Sequence, residues 1–531
     1  MVKNKKHGTV LQRNVFVELY KIILVKKFIN FITSFDYIGL IFFLWSVTIY
    51  LSRWIPCYNL LINIDPFDGA LRLVAGLYSS ASNFKIYNDF GILYPPGLVF
   101  LYQTFHLNYT SAYHFFSLLF LTLTIAIVSF VYYKTKSFFF SGIYVLFLTW
   151  PFLVTNDPFT DIVWTIFATL LLFYLKEGDR KYVWFIIAAG VASMWFKWER
   201  VATLLALSIF ACVGLYFIKS KSKELLSAVK ILGATAGIGL LSFLVYFVAN
   251  SINIANALYF IFIVPFKVVA YRKITPPPLT LIEDSIFSIN NLLYLCFLLI
   301  IVLFITVVAH KLYDKKMPLY IFLILLPLSQ IPYAIGRSEA GHQTPLFFTI
   351  LMVLIFYCYL EKKIKAILIF PVIFYIVAWG LPTIHGLDYS YLKVTPTYFG
   401  VLNDFIQDCR NKITTQDYKT IFVGRTDYNR YRYNDARFYL VNIYAKPATK
   451  YISDEPGLQN NCYDGGRISQ DLTNAQKPML AFIDFHPGAQ GTDPNPAAAN
   501  MVSCGKIEKW LIDHPYKNLG VCNGLEIRLY K

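Results

Sequence analysis

The residues of this sequence that are best suited to chemistry are carboxylates and cations at the ends of long apolar runs. Asp65, Asp68 and Asp157 are the candidate catalytic carboxylates, because a carboxylate removes a proton from a hydroxyl group. The cations suited to holding a phosphate and stabilising it as it leaves are Lys85, Lys197, Arg200, Arg272 and Lys273. Further polar candidates for substrate contacts are Asp89, Tyr94, Arg337, Glu339 and His342.

The composition restricts the solvent in which such chemistry takes place. Of the 531 residues, 57% are hydrophobic and 15% are charged, whereas a typical soluble domain is about 45–50% apolar and about 25% charged. These values exclude a disordered chain, a disulfide-scaffold peptide and an ordinary cytosolic enzyme. They indicate a polytopic α-helical membrane protein whose main solvent is lipid.

Eleven apolar runs are predicted to span a membrane. They cover residues 36–52, 113–133, 138–155, 159–175, 183–196, 201–218, 229–249, 290–309, 318–335, 343–360 and 365–382. The first run follows a basic segment and no small-residue cleavage site ends it, so we expect an uncleaved span and not a signal peptide.

The distribution of positive charge predicts the orientation of these spans. Residues 383–531 hold 17 Lys and Arg against 15 Asp and Glu, a net charge of +2, whereas residues 1–382 hold 31 against 16, a net charge of +15. With a cytoplasmic N-terminus, the inner segments hold 22 Lys and Arg and the outer segments nine, which satisfies the positive-inside rule. This pattern is typical of membrane topology and argues against a nucleic-acid partner.

The sequence divides into three predicted regions. Residues 1–35 form a basic cytoplasmic segment, and residues 36–382 form the transmembrane domain, with long outer loops at about 54–112 and 250–289. Residues 383–531 form a soluble α/β domain outside the cytoplasm, since an odd number of spans places them there. Long loops tend to be functional, and in the first one Gly97–Phe105 is semi-apolar enough to lie as an interfacial helix.

The outer domain carries its own structural signals. A helical pattern covers about 397–411, and short strand-like runs occur at Thr420–Val423 and Leu480–Ile483. Four cysteines predict two disulfides with three possible connectivities, and they are Cys409, Cys462, Cys504 and Cys522. The absence of a CxxC motif or a His/Cys cluster argues against a zinc site.

The sequence resembles the GT-C glycosyltransferases over most of residues 36–382. The nearest subgroups are the lipid A aminoarabinose transferases, the protein O-mannosyltransferases and related bacterial transferases. The residues that carry the resemblance are the Asp65–Asp68 loop, Tyr87-x-Asp89, Tyr94-Pro95-Pro96-Gly97, Asn156-Asp157-Pro158-Phe159, Met194-Trp195-Phe196-Lys197, and Arg337 with His342.

The resemblance implies an inverting transfer of a sugar from a polyprenyl-phosphate donor to an acceptor hydroxyl. Asp65 would be the base or would position the acceptor, Asp157 would be the second acidic residue, and Lys197 would contact the donor phosphate. The family often has an Asp-Glu pair in direct succession where this chain has Asp65 and Asp68, so which aspartate is the base stays open. The aminoarabinose enzymes carry Lys where this chain has Tyr94. Contact with the donor phosphate is therefore expected from Lys85, Arg272 or Lys273 instead.

Two alternatives to transfer stay open at this stage. The first is a lipid-linked glycan flippase or another transporter, and the second is a noncatalytic envelope protein. The sequence contains no P-loop, and the spans hold almost no ionisable residues at their centres, which argues against ATP-driven and ion-coupled transport. The acceptor is a cell-envelope glycan, a glycolipid or a protein, and a divalent cation such as Mg²⁺ or Mn²⁺ held by the carboxylates is also left open.

Overall fold

The computed structural model describes residues 37–60, 68–149, 158–217, 223–272, 298–301, 317–336, 340–361, 397–428, 435–452, 458–485 and 503–531. The predicted cytoplasmic segment 1–35 and the predicted span 365–382 lie outside these residues, as does most of the predicted span 290–309.

The first part of the described chain is helical. Its helices are α1 (Tyr37–Leu60), α2 (Asp68–Ser80), α3 (Gly97–Thr104), α4 (Tyr109–Thr135), α5 (Phe138–Thr149), α6 (Pro158–Glu177), α7 (Val183–Phe217), α8 (Lys223–Ala249), α9 (Ile254–Leu258), α10 (Val264–Arg272), α11 (Met317–Leu328), α12 (Ile331–Gly336) and α13 (Ala340–Glu361). A π-helical turn, Tyr259–Ile263, joins α9 to α10.

Five of the described helical segments are long and apolar enough to cross a membrane. They are His114–Thr135, Phe159–Glu177, Arg180–Tyr216, Lys223–Ala249 and Met317–Ala334. Shorter apolar helices occupy Gly39–Leu51, Phe138–Leu148, Ile254–Val268 and Pro345–Glu361. The apolar, mostly helical architecture agrees with the sequence, and the count of eleven spans stays a prediction.

One end of the helical bundle collects the segments that the charge distribution predicts to face the cytoplasm. Lys134, at the end of α4, forms an ion pair with Glu177, at the end of α6. Nζ of Lys176 donates a hydrogen bond of 2.6 Å to the hydroxyl of Tyr359 in α13. Three helices therefore terminate together at this end, which we call the polar end.

Helix α7 changes direction at Lys197, whose backbone angles of φ −149° and ψ 88° are not helical. The half before this break lies parallel to α8. Residue numbers rise together along the contacts between the two helices, as expected for parallel helices. The contacts are those of Gly190 with Thr235, Met194 with Gly239, and Trp195 Nε1 with Ser242 Oγ.

The second half of α7 has to return toward the polar end, because α8 starts there. Ser227, in the first turns of α8, contacts the hydroxyl of Tyr174 at 2.8 Å, one turn before Glu177. Residues 198–217 provide about 30 Å of helix for this return, at about 1.5 Å per residue. The break therefore lies at the far end of the bundle, between the predicted spans 183–196 and 201–218.

The two predicted outer loops meet at this far end. Nδ2 of Asn88 donates to the carbonyl of Ser251 at 2.9 Å, and the backbone N–H of Asn253 donates to Oδ1 of Asn88 at 2.7 Å. The described part of the second loop, residues 250–272, is largely helical, since α9, the π-helical turn and α10 occupy 254–272. Within the stretch Gly97–Phe105 the structure has a helix, α3, and its predicted interfacial position stays a prediction.

The C-terminal region folds around a five-stranded mixed sheet. Its elements are α14 (Thr397–Ile413), β1 (Thr420–Arg425), a 3₁₀-helix (Ala436–Asn442), β2 (Lys446–Pro447), α15 (Cys462–Asn474), β3 (Met479–Asp484), α16 (Lys506–Asp513), β4 (Tyr516–Cys522) and β5 (Leu525–Tyr530). The strand order is β2-β1-β3-β5-β4, with β1 parallel to both neighbours and β5 antiparallel to both of its own. The predicted helix and strands agree with α14, β1 and β3.

This region also contacts the helical bundle. The backbone N–H of Gly91 donates to the carbonyl of Lys450 at 2.6 Å, and Oγ of Ser82 donates to the carbonyl of Ile443 at 2.5 Å. The first outer loop is therefore held against the C-terminal region by one backbone and one side-chain hydrogen bond.

Two disulfides close the C-terminal region, Cys409–Cys522 and Cys462–Cys504. They select one of the three connectivities that the sequence allows. The first bond joins α14 to the end of β4, and the second joins the start of α15 to the segment before α16.

We expect replacement of Cys409 and Cys522 by Ala to destabilise the C-terminal region more than replacement of Cys462 and Cys504. The bonded cysteines are 113 and 42 residues apart, and the entropy that a cross-link removes from the unfolded chain grows with the logarithm of loop length, a difference of about 0.9 kcal/mol. Thermal unfolding of the two double variants checks this order, with Cys212→Ala, at a free cysteine, as the control. A larger loss of stability on removal of Cys462–Cys504, which closes the shorter loop, would contradict the explanation by loop length.

Candidate functional site

Two cations lie buried at the break in α7. Lys197 is 3% exposed and Arg200 is 1% exposed. Because the helix restarts after Lys197, Arg200 falls in the first turn of the second half. Both side chains reach the ring of Tyr333 in α12, with Lys197 Nζ 3.8 Å and Arg200 Cζ 5.7 Å from its centroid.

A buried carboxylate on α6 partners one of these cations. Nη2 of Arg200 lies 2.6 Å from Oδ1 of Asp161, and the two side chains are only 2% and 4% exposed. Helix α6 begins at Pro158, a residue favoured at the first helical position, so Asp161 falls in the first turn, where a negative charge is stabilised by the helix dipole.

The remaining donors of Arg200 are the most informative feature of this cluster. Nε and Nη1 of Arg200 are buried and have no hydrogen-bond partner among the described residues. A buried donor without a partner costs about 1–3 kcal/mol, and such a group in a native fold needs an explanation. A bound oxyanion provides one, since the planar guanidinium matches the geometry of a phosphate or carboxylate.

Aromatic side chains flank the cluster on both sides of Lys197. The ring of Phe159 lies 4.6 Å from that of Phe196, and the ring of Trp198 lies 4.6 Å from that of Phe262 in the π-helical turn. These contacts join α6, α7 and the second outer loop around the cations. The low dielectric of such surroundings strengthens every electrostatic interaction within them.

The Tyr94-Pro95-Pro96-Gly97 segment positions α3 directly against α7. A Cβ atom on Gly97 would lie 2.5 Å from the carbonyl oxygen of Trp195, so only glycine permits this approach. The contact lies two residues before Lys197, which places the first outer loop next to the buried cations.

The predicted site residues fall into three groups with respect to the structure. Asp65, Asp157, Lys273, Arg337 and Glu339 lie outside the described residues. Asp68, Arg272 and His342 lie in α2, α10 and α13, and only their backbone belongs to the described part. Lys85, Asp89, Tyr94, Lys197 and Arg200 are described in full, and of these the structure brings together Lys197 and Arg200.

The other three lie in the first outer loop, where Asp89 and Tyr94 have structural partners. The carboxylate of Asp89 accepts a hydrogen bond of 2.8 Å from the backbone N–H of Lys85 and pairs with Lys446 Nζ at 2.6 Å. The carbonyl of Tyr94 accepts a hydrogen bond of 2.6 Å from the hydroxyl of Tyr87. Asp89 therefore stabilises a turn and its contact with the C-terminal region, and Lys85 is exposed beside it.

Sequence reasoning missed Asp161 and Tyr333. Asp161 lies inside the predicted span 159–175, where a carboxylate is rare and is usually paired, so its position was a usable signal. Tyr333 had no comparable signal, because its importance depends on α12 packing beside the break in α7.

The described residues offer no convincing metal site. Their one group of three potential ligands is Asp408, Cys409 and Cys522, and the two cysteines are joined in a disulfide, so neither provides a thiolate.

The described residues are mostly helical, with five apolar candidate spans and a small C-terminal sheet, an architecture that is consistent with a membrane protein. Protein-family models give no match to this chain, and no curated protein matches it.

Proposed function

We propose that this protein is an integral membrane glycosyltransferase. It transfers a sugar from a polyprenyl-phosphate donor to the hydroxyl of a glycan, glycolipid or protein acceptor, with inversion at the anomeric carbon. The reaction takes place at the extracytoplasmic face of a bacterial inner membrane, where the N-terminus is cytoplasmic and the C-terminal domain lies outside.

In this reaction the acceptor oxygen bonds to the anomeric carbon as the bond from that carbon to the phosphate oxygen breaks. The electron pair of the broken bond leaves with the polyprenyl phosphate, and the acceptor proton passes to a carboxylate. Asp65, Asp68 and Asp157 are the carboxylates proposed for this step. Cations are needed at the leaving phosphate, because negative charge accumulates there.

The observation that carries the proposal is the pair of buried donors on Arg200. With Nη2 held by Asp161, Nε and Nη1 remain for an anion, and Lys197 lies on the same tyrosine ring. The break in α7 places this cluster at the end of the bundle opposite the polar end. If this end of the bundle lies at a membrane face, as the charge distribution predicts, a lipid-linked phosphate is able to enter sideways from the bilayer.

The experiment is reconstitution of the purified protein in vesicles with a panel of polyprenyl-phosphate sugars, with released polyprenyl phosphate as the readout. We expect Lys197→Met to lower kcat/KM by about 100-fold, the loss typical of removing one group that stabilises transition-state charge. The matched control is Lys176→Met, because Lys176 Nζ also lies over a tyrosine ring, 4.1 Å from the centroid of Tyr359, but at the polar end.

The outcome separates transfer from its two alternatives. Release with at least one donor, lost in Lys197→Met and retained in Lys176→Met, supports transfer. Movement of a lipid-linked glycan across the vesicle membrane without a new glycosidic bond would identify a flippase. No release and no movement with any donor would favour a noncatalytic envelope protein.

A further inference from the structure

A second cluster of cations and aromatic rings lies where the C-terminal region meets the second outer loop. Tyr259 and Lys267 come from residues 254–272, and Tyr451, Tyr463 and Arg467 come from the C-terminal region. We call this cluster the seam. It shares no described residue with the site at Lys197 and Arg200.

One buried carboxylate holds the seam together. Asp464, which is fully buried, accepts a hydrogen bond of 3.0 Å from Lys267 Nζ and one of 2.9 Å from the hydroxyl of Tyr451. The hydroxyl of Tyr259 also donates to it. Lys267 and Tyr259 are therefore fixed against α15, and the geometry of the seam does not depend on surface side chains alone.

Arg467 is held by rings and not by hydrogen bonds. Its Cζ lies 5.1 Å from the ring centroid of Tyr259, 5.6 Å from that of Tyr463 and 6.0 Å from that of Tyr451. Among the described residues it has no hydrogen bond and no ion pair. Rings contact the face of a guanidinium, so the in-plane N–H donors stay available to a ligand.

Electrostatic interactions keep both seam cations charged. Burial opposes the charge of Arg467, but the nearby Tyr451, Tyr463, Tyr259 and Asp464 outweigh burial and raise its pKa. Burial likewise opposes the charge of Lys267, but its hydrogen bonds to Tyr259 and Asp464 raise its pKa. The seam therefore presents positive charge over the whole physiological pH range.

An exposed aromatic ring lies beside these cations. Tyr463 is 60% exposed, and Lys267 Nζ lies 4.6 Å from its ring centroid. Such a ring offers an apolar platform of the size of a sugar ring, and its hydroxyl adds a polar handle. A cation and an exposed ring at adjacent positions suit a ligand that carries an oxyanion and a flat apolar face together.

We propose that the seam is a binding site for an anionic saccharide, with Arg467 as the donor to its carboxylate or phosphate oxygens and Tyr463 as the platform for its sugar ring. Lys267 lies beside the platform with its charge paired to Asp464, so Arg467 is the cation left for the ligand. The proposal goes beyond the transfer reaction and does not rest on it.

The test is calorimetric titration of the full-length protein in lipid nanodiscs with four probes: digalacturonic acid, glucose 6-phosphate, maltose and inorganic phosphate. We expect one or both anionic saccharides to bind and maltose and inorganic phosphate to bind at least tenfold more weakly. A carboxylate source is indicated if digalacturonic acid binds more tightly, and a phosphate ester if glucose 6-phosphate does.

Two variants and one matched control assign the binding to the seam. Arg467→Gln should weaken the binding of the tighter anionic saccharide by about tenfold or more, as expected for the loss of a charge-assisted bidentate contact. Tyr463→Ala should also weaken its binding. Arg437→Gln is the control, because Arg437 also stacks on a ring, 4.5 Å from the centroid of Phe405, but its donors are occupied by Asp435.

Several results would overturn the proposal. They are the absence of binding of both anionic saccharides, equal binding of inorganic phosphate or maltose, and equal weakening in Arg437→Gln and Arg467→Gln. Unchanged thermal unfolding of Tyr463→Ala, which alters an exposed residue, keeps the test valid if Arg467→Gln folds poorly. Polyprenyl phosphate release, measured on the same samples, reports separately on the proposed transfer.

Discussion

Asp161→Asn should destabilise the helical bundle by about 3–5 kcal/mol, the usual cost of removing one partner from a buried ion pair. Arg200 is 1% exposed, so its charge would remain in a low-dielectric environment without the carboxylate that compensates it. The loss is measurable as a lower unfolding temperature of the purified protein in detergent. The same variant should lose polyprenyl phosphate release, because Arg200 would no longer be held beside Lys197.

A double variant separates the structural role of this pair from its proposed role in transfer. Asp161→Leu combined with Arg200→Met removes both charges, and such replacements are often neutral or stabilising. We therefore expect an unfolding temperature close to that of the unmodified protein, but no recovery of polyprenyl phosphate release. Recovery of release in the double variant would show that the pair serves stability alone.

A less buried ion pair, at the polar end, provides the control for burial. Lys134 and Glu177 have side chains that are 11% and 27% exposed, and exposed pairs typically contribute about 0–1 kcal/mol. Glu177→Gln should accordingly reduce the stability of the protein less than Asp161→Asn does. A cost as large as that of Asp161→Asn would contradict the explanation through burial.

The long helices were predictable because their signal is local. A run of about 20 apolar residues identifies a span whatever its neighbours are, so α4, α6 and α8 agree with the sequence. Residues 254–272 were predicted to lie in the outer loop 250–289, and the apolar helix that the structure has there, Ile254–Val268, is shorter than the about 20 residues of a typical span. In the structure this segment contacts the C-terminal region, for example through Lys267 and Asp464, and such contacts are not visible in the local sequence.

The site was predictable only where a residue stood out from its own segment. Lys197 and Arg200 interrupt apolar sequence, and Lys197 also ends the Met194-Trp195-Phe196-Lys197 segment that resembles the GT-C enzymes. The partnership of Arg200 with Asp161 depends on which helices are adjacent, and spacing along the chain does not encode that. Arg467 illustrates the same limit, because it belongs to a polar helix whose sequence resembles any solvated helix.

Gly97→Ala should destabilise the protein by about 1–3 kcal/mol, the typical cost of inserting an atom into a closely packed contact. The added Cβ would lie 2.5 Å from the carbonyl oxygen and 2.9 Å from the carbonyl carbon of Trp195. Both are backbone atoms, which cannot rotate away as a side chain would, so α3 and α7 have to separate. Because Trp195 lies two residues before Lys197, this separation should also reduce polyprenyl phosphate release.

Gly237→Ala is the matched control for this prediction. Gly237 lies in α8, and an added Cβ would meet no atom within 4 Å, so alanine there should be neutral or should stabilise the helix by about 0.5–1 kcal/mol through its higher helix propensity. The two variants make the same chemical change, and they differ only in what surrounds the new methyl group. If thermal unfolding and release respond equally to both, then close packing of α3 against the break in α7 does not position Lys197. An opposite sign of the two stability changes, with release lost only in Gly97→Ala, is the result that links this contact to the buried cations.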